Sequence, residues 1–188
     1  MAYTLAHEFV SGISTHLSIP TASDVLACAG QINHILTGRT DLTLATAESC
    51  TGGSVAQAIT AFAGSSDYFL GGIVSYSNAA KHNILGVSIE ILETKGAVSA
   101  ECAEAMAHGA RAALQSSIAV ATTGIAGPGG ATPRKPIGLV YLAVATETGT
   151  TVQEHHFAGD RHVVTLAATH TALQLLVDAI QQYGSPTT

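Results

Sequence analysis

The segment Ala47–Gly53, with the sequence Ala-Glu-Ser-Cys-Thr-Gly-Gly, places a hydroxyl and a thiol beside two glycines. It follows an apolar run at 42–45 and precedes a helix-like run at 54–59, a pattern that predicts a strand, a tight turn and a helix. Such a turn lifts a nucleophile out of a sheet and directs several backbone N–H groups to one point. Acyl transfer needs this combination. The alternative is an ordinary glycine turn with Ser49 or Thr51 as the helix N-cap.

Two adjacent side chains in this segment are candidate nucleophiles. Ser49 needs a base to activate its hydroxyl. Cys50, at the start of a helix, is expected to have a lowered thiol pKa. The spacing alone does not choose between them.

A second cluster, Tyr76-Ser77-Asn78 with Lys81, follows the apolar run 73–76. A lysine near a serine hydroxyl can act as a base if burial lowers its pKa. Tyr76 could relay a proton or hydrogen-bond the nucleophile. The alternative is that Lys81 is a solvated helix residue. Asn78 is a plausible helix N-cap in either case.

A second glycine-rich loop, 123–130, follows the apolar run 118–122. Ligands bind at the carboxyl ends of strands in open α/β sheets, so both loops are expected to face one crevice. Neither loop fits GxGxxG or GxxxxGK[ST], which excludes a dinucleotide or ATP site on motif grounds but not a mononucleotide or sugar phosphate. Arg161, at the start of the last predicted helix, could clamp a phosphate or carboxylate. Alternatively, it pairs with Asp160 on the surface.

Composition narrows the class of protein. The chain has 188 residues, 47% of them hydrophobic, which predicts one folded domain. Only 7 Lys and Arg residues and a net charge of −6 argue against a nucleic-acid partner. Three cysteines without a CxxC pair, no signal peptide and no long apolar run predict a cytoplasmic protein without a membrane partner. The histidines form no HExxH, so neither a metal nor another cofactor is expected.

Strands alternate with helices and then a hairpin closes the sheet, which predicts an α/β fold. We expect a three-layer α/β/α sandwich with a mixed, mostly parallel sheet. Residues 1–22 are predicted to be an N-terminal helical extension, because apolar residues recur every four positions there, and 23–188 the main domain. Low charge and an apolar composition predict a homo-oligomer.

Five motifs, taken together, resemble the CinA C-terminal-domain family, which includes nicotinamide-nucleotide amidases. They lie in the family's order and spacing at 47–53, 76–81, 96–99, 123–130 and 159–161, and the resemblance covers about residues 25–182. It implies hydrolysis of the carboxamide of nicotinamide mononucleotide to nicotinate mononucleotide and ammonia, in pyridine nucleotide salvage. It also implies the stand-alone form, because nothing here matches the N-terminal domain of longer members.

The resemblance also implies roles for individual residues. Ser49 would be the nucleophile, and Lys81 would deprotonate it with help from Tyr76. Thr123 would orient the substrate or extend the proton network, while Arg161 would contact the phosphate or another part of the substrate. Backbone N–H groups of either loop would hold the oxyanion or the phosphate. The other implied substrate-binding residues are Thr51, Gly52, Gly53, Asn78, Gly124, Gly127 and Gly129.

Three departures from the family's pattern bear on phosphate binding. Lys95 stands where a histidine is common, Arg134 where an acidic residue is usual, and 165–166 lack a basic residue that is frequent there. These changes would move or weaken the phosphate contact. Two other functions stay open: a non-catalytic nucleotide-binding module linked to competence or DNA damage, and an amidase acting on a different amide.

Overall fold

The structure, a computed structural model, describes residues 19–183. The predicted extension 1–22 lies outside the described residues except for its last four positions. The elements are α1 Ala22–Leu36, β1 Leu44–Glu48, α2 Ser54–Thr60, a 3-10 turn Ser65–Asp67, β2 Phe69–Val74, α3 Asn78–Leu85, α4 Ile89–Thr94, α5 Ala100–Leu114, β3 Ile118–Gly124, β4 Leu139–Ala145, β5 Thr150–His156 and α6 Arg161–Tyr183.

The five strands form one open, mixed sheet in the order β2-β1-β3-β4-β5. Strand β1 pairs in parallel with β2 and with β3, whereas β4 is antiparallel to both of its neighbours. Four of the five strands therefore run in one direction, which confirms the predicted fold class. The carboxyl ends of β1, β2 and β3 lie at the same edge of the sheet, where both glycine-rich loops begin.

Side-chain size differs between the two faces of the sheet. One face carries large apolar residues such as Leu44, Ile118 and Leu142, which pack under α1, α2 and α6. The other face packs under α3 and α5 and is lined by alanines: Ala45, Ala47, Ala119, Ala121, Ala143 and Ala145. Small residues on this face let α5 approach the sheet closely, which accounts for a core with few aromatics.

Local signals account for the helix boundaries. Thr21 and Asp24 form a reciprocal capping box at the start of α1. Ser99 caps α5 by accepting a hydrogen bond from the Cys102 N–H. Asp160 caps α6, because its carboxylate accepts the Val163 N–H at 3.0 Å.

Helix α6 is long and unusually apolar. Within residues 19–183 it is the one helix long and apolar enough to cross a membrane, judged by length and composition alone. In the structure, 56% of the most apolar 18-residue stretch of this helix is buried inside the protein. It packs against α1, β3 and β4, as the core helix of a sandwich does.

Candidate active site

Ser49 and Lys81 meet where β1 ends. Ser49 lies two residues after Ala47, so its side chain points to the alanine-lined face, towards α3. Lys81 Nζ lies 2.9 Å from Ser49 Oγ and donates to the Ser75 carbonyl oxygen at 2.7 Å. Lys81 is only 1% exposed, so the alternative of a solvated lysine is wrong.

The surroundings of Lys81 favour its neutral form. Burial lowers the pKa of the Lys81 amine, and the Cys102 and Cys50 thiols oppose that shift only in part. Its two hydrogen-bond partners are a hydroxyl and a carbonyl, both without charge. A neutral amine has a lone pair that can accept the Ser49 proton, which an ammonium lacks.

Cys50 lies on the opposite face, in the apolar cluster under α1, α2 and α6. The side chain is 7% exposed, and burial raises the pKa of the Cys50 thiol to about 12. The lowered pKa expected from its place before a helix is therefore wrong, because loss of hydration outweighs the helix N-terminus. Ser49, which has a buried amine in contact, is better placed than Cys50 to act as a nucleophile.

Glu48 is a buried carboxylate that holds the turn after β1. It accepts the backbone N–H groups of Gly53, Val55 and Ala56 at 2.8 to 3.1 Å and the hydroxyls of Thr46 and Thr51 at 3.2 and 2.7 Å. Sequence reasoning missed this role. The available signal was an acidic residue just before a predicted helix N-terminus, where a negative charge is stabilised.

These contacts reduce the number of free donors in the turn. The Gly53 N–H donates to Glu48, and the Gly52 N–H donates to the Ser49 carbonyl at 3.3 Å. The oxyanion role expected for these two glycines is therefore corrected, because both N–H groups have internal acceptors. Cys50 and Thr51 retain N–H groups with no oxygen acceptor in the part of the chain that the structure describes.

A cavity of about 220 Å³ opens over the Ser49–Lys81 pair. The predicted site residues that line it are Ser49, Tyr76, Asn78, Lys81, Thr123, Gly124 and Arg161, joined by Cys50. The predicted substrate-binding residues outside this lining are Thr51, Gly52, Gly53, Gly127 and Gly129. The structure thus brings Ser49, the segment 76–81 and the start of the loop 123–130 to one cavity. The N–H group of Gly53 in the first glycine turn instead donates to Glu48.

Asn78 contributes to this cavity from the first turn of α3. The predicted helix N-cap at Asn78 is wrong, because Ser77 is the cap and accepts the Ala80 N–H at 3.1 Å. A cap at Ser77 leaves the Asn78 side chain outside the capping contact. It also fixes the start of the helix that carries Lys81.

Arg161 joins two loops at the mouth of the cavity. It donates to the Gly127 carbonyl and to the Tyr76 hydroxyl, each at 3.0 Å. The alternative pairing with Asp160 is wrong, because that carboxylate caps α6 instead. Arg161 also lines a second, mostly apolar cavity of about 640 Å³ beside the first. The Tyr76 hydroxyl contacts this guanidinium, and the side chain is 62% exposed.

Ala97 and Val98 line the cavity, and the segment 95–98 that carries them is held from two sides. Thr123 donates to the Ala97 carbonyl at 2.7 Å. Lys135 Nζ donates to the Lys95 and Val98 carbonyls, each at 2.6 Å. Sequence reasoning did not assign this role to Lys135. Its place beside a glycine-rich loop in a chain with few cations was the one available signal.

The arrangement suits acyl transfer by a serine. A hydroxyl lies against a buried amine, two N–H donors lie in the same turn, and an arginine lies at the entrance. Within residues 19–183, no group of three or more His, Cys, Asp or Glu side chains could hold a metal ion.

Comparison with known proteins identifies the family. The model of the CinA C-terminal domain matches residues 26–180. The chain belongs to this family. A CinA-like protein of Geobacter sulfurreducens is 53% identical over 135 residues, which are 72% of this chain and 33% of that protein. A CinA-like protein of Chlorobium phaeovibrioides is 46% identical over 187 residues, covering 96% of this chain and 41% of that protein. The chain thus spans about a third of the length of the first of these relatives.

Solved structures support the same assignment. The competence/damage inducible protein CihA from Agrobacterium tumefaciens superposes with a TM-score of 0.81 at 44% identity, covering 85% of this chain and 96% of that one. A CinA superfamily protein from Escherichia coli gives a TM-score of 0.78 at 34% identity, covering 84% of this chain and 92% of that one. The predicted family resemblance and fold are confirmed.

Proposed function

We propose that this chain is a metal-independent amidase that hydrolyses the carboxamide of nicotinamide mononucleotide. The observation that carries the proposal is the 2.9 Å contact between Lys81 Nζ and Ser49 Oγ beneath a cavity. A buried amine against a serine hydroxyl supports catalysis more than simple binding, because a binding site has no need of a base. The choice of substrate rests on the family resemblance.

In the first half-reaction, Ser49 Oγ attacks the carboxamide carbon while Lys81 Nζ accepts the hydroxyl proton. The amide oxygen becomes an oxyanion, for which the turn offers the N–H groups of Cys50 and Thr51, because they have no oxygen acceptor among residues 19–183. Lys81 then gives its proton to the leaving nitrogen, the C–N bond breaks and ammonia departs. The product is an ester between nicotinate mononucleotide and Ser49.

The second half-reaction uses the same groups with water as the nucleophile. Lys81, neutral again, accepts a proton from water, which attacks the ester carbonyl. The ester bond breaks, the proton returns to Ser49 Oγ and nicotinate mononucleotide is released. Each proton that Lys81 accepts is therefore returned within the cycle, and no outside acid or base is needed.

The two cavities differ in a way that suits a two-part substrate. The smaller one, over Ser49, has room for a planar carboxamide and part of its ring. Arg161 lies between the two cavities, where its guanidinium could donate two parallel hydrogen bonds to a phosphate. A small-molecule mononucleotide is thus the proposed partner, and pyridine nucleotide salvage in the cytoplasm is the proposed setting.

Ammonia release from nicotinamide mononucleotide, measured with EDTA present, tests the proposal. We expect turnover by the wild type and a loss of at least about 10³-fold in Ser49→Ala, since the covalent route is removed. Circular dichroism of both proteins controls for folding.

Other results would point to the other functions. If the wild type released no ammonia but was thermally stabilised by a pyridine nucleotide, the result would contradict an amidase and favour a binding module. Ammonia release from other carboxamides, with none from nicotinamide mononucleotide, would support the serine amidase reaction but contradict the proposed substrate.

A further inference from the structure

Ser75 is a buried polar residue that the mechanism above does not use through its side chain. It is fully buried, and its hydroxyl has no hydrogen-bond partner among residues 19–183. A buried hydroxyl without a partner costs free energy, so such groups are uncommon in native proteins. Its backbone is fully engaged, because its N–H donates to the Glu48 carbonyl and its carbonyl accepts from Lys81.

The strand register places this hydroxyl beside the reactive pair. Ala47 pairs with Ile73 across β1 and β2, and both side chains pack on the alanine-lined face. Ser49 and Ser75 each lie two residues further along, so both side chains return to that face. Neighbouring strands are roughly 5 Å apart, which sets the scale of the separation between the two serines. Ser49, Ser75 and Lys81 therefore form one buried cluster.

Lys81 needs one more acceptor during the reaction than it has at rest. A neutral amine has two N–H groups and a lone pair, and an ammonium has three N–H groups. The Ser75 carbonyl serves one of them. Ser49 Oγ is bonded to the substrate carbon once the proton has moved to Lys81, which leaves it a poorer acceptor. The remaining N–H group has no acceptor in the described contacts of Lys81. The Ser75 hydroxyl has no partner among residues 19–183, and it belongs to the residue whose carbonyl Lys81 Nζ already contacts.

We propose that Ser75 is a positioning residue whose hydroxyl rotates to accept a hydrogen bond from Lys81 Nζ when that amine carries the Ser49 proton. This role rests on the proposed serine amidase. The hydroxyl acts on the charged form of Lys81 and touches neither the substrate nor the Ser49 proton. The titratable or charged groups near this amine are the thiols of Cys50 and Cys102, with Tyr76 and Arg161 on the cavity wall and Glu48 across the sheet.

Ser75→Ala tests the role, with Ser116→Ala as a matched control. Ser116 is also buried and its hydroxyl also lacks a partner, but it precedes the amino end of β3, roughly 20 Å of strand from the site. In Ser75→Ala we expect kcat on the high-pH plateau, where Lys81 is already neutral, to fall about tenfold with KM unchanged, because an interaction made only after proton transfer is lost. We also expect the acid limb of the pH profile to move to lower pH, because the ammonium loses an acceptor and the pKa of Lys81 falls.

The control separates this role from a structural one. Neither alanine variant breaks an existing side-chain hydrogen bond, so neither should lower the melting temperature. Ser116→Ala should keep the wild-type kcat and pH profile. Wild-type kcat and an unshifted acid limb in Ser75→Ala would overturn the proposal.

A second measurement does not depend on the substrate. The rate at which a fluorophosphonate labels Ser49, followed by intact mass across pH, reports on activation of the serine by Lys81. We expect slower labelling in Ser75→Ala and wild-type labelling in Ser116→Ala. Labelling with this pattern but no ammonia release would overturn the nucleotide substrate and support the role of Ser75. Equal labelling in all three proteins, or no labelling of wild-type Ser49, would overturn that role.

Discussion

Glu48 and Ser49 are adjacent in the chain, yet they lie on opposite faces of the sheet in opposite polar surroundings. The Glu48 carboxylate accepts five hydrogen bonds from backbone N–H groups and threonine hydroxyls. The Ser49 hydroxyl meets a buried amine that has no carboxylate partner within the described range 19–183. One side is saturated with hydrogen bonds and holds the turn in place. The Ser49 side has fewer hydrogen bonds, which is the arrangement that the proposed proton transfer to Lys81 needs.

Lys81→Met should produce the largest change, by removing the base while keeping the length of the side chain. We expect kcat for ammonia release to fall by about 10³-fold, in the range typical of general-base catalysis. The free energy of unfolding should not fall, because a buried amine without a carboxylate partner among residues 19–183 is replaced by an apolar group. Arg39→Met, which removes a surface ion pair with Asp41, is the matched control with unchanged kcat. Loss of folding in Lys81→Met would contradict this account.

Glu48→Gln should affect stability most, because the new NH₂ group faces N–H donors that need an acceptor. We expect the free energy of unfolding to fall by about 3 kcal/mol, the scale of leaving buried donors unsatisfied. Urea denaturation measures this change. Glu93→Gln, at an exposed position on α4, should change stability by less than about 0.5 kcal/mol. Similar values for the two variants would mean that the Glu48 network does not hold the turn.

The sequence predicts the Ser49 side of this contrast much better than the Glu48 side. Ser49 and Lys81 follow the carboxyl ends of neighbouring strands, so the topology alone brings them to one edge. The depth of burial of Lys81 depends on how closely α5 packs over alanines, which no local pattern reveals. The Glu48 network uses backbone N–H groups, which every residue except proline possesses, so the sequence does not mark them. The contacts of Lys135 with the Lys95 and Val98 carbonyl oxygens also use backbone groups, so the sequence does not mark them either.

The pH dependence should follow the lowered pKa of Lys81. The folded protein releases this proton at lower pH than the unfolded chain, whose lysine keeps its ordinary pKa of 10.5. Between the lowered pKa and 10.5 the unfolded state binds more protons, so this group makes the free energy of unfolding rise with pH. The rate should rise about tenfold per pH unit below the lowered pKa, as the neutral base forms. Rate and stability profiles of wild type and Lys81→Met test both; a wild-type rate that does not rise with pH would contradict the base assignment.

Arg161→Lys should have a smaller effect, mainly on substrate binding. A lysine cannot contact the Gly127 carbonyl and the Tyr76 hydroxyl in the same forked geometry. We expect KM for nicotinamide mononucleotide to rise about tenfold with a smaller change in kcat. Tyr76→Phe removes one of the two acceptors of Arg161, so steady-state kinetics should show a smaller rise in KM. An unchanged KM in Arg161→Lys would remove this residue from the substrate site.

Cys50→Ala should have the smallest effect on turnover. The thiol, with a pKa of about 12, is protonated at neutral pH, so kcat should stay within about threefold of the wild type. The loss of a buried sulfur should lower the free energy of unfolding by about 1 kcal/mol. Ammonia assays and urea denaturation measure the two effects. A hundredfold loss of kcat in a folded variant would reopen the choice between the two nucleophiles.

The most direct test of the central claim is to locate the acyl group after rapid acid quench of protein mixed with nicotinamide mononucleotide. We expect peptide mass mapping to find the nicotinate mononucleotide ester on Ser49 in the wild type and in Cys50→Ala, and no adduct in Ser49→Ala. An adduct on Cys50, or ammonia release that continues undiminished in Ser49→Ala, would contradict the account.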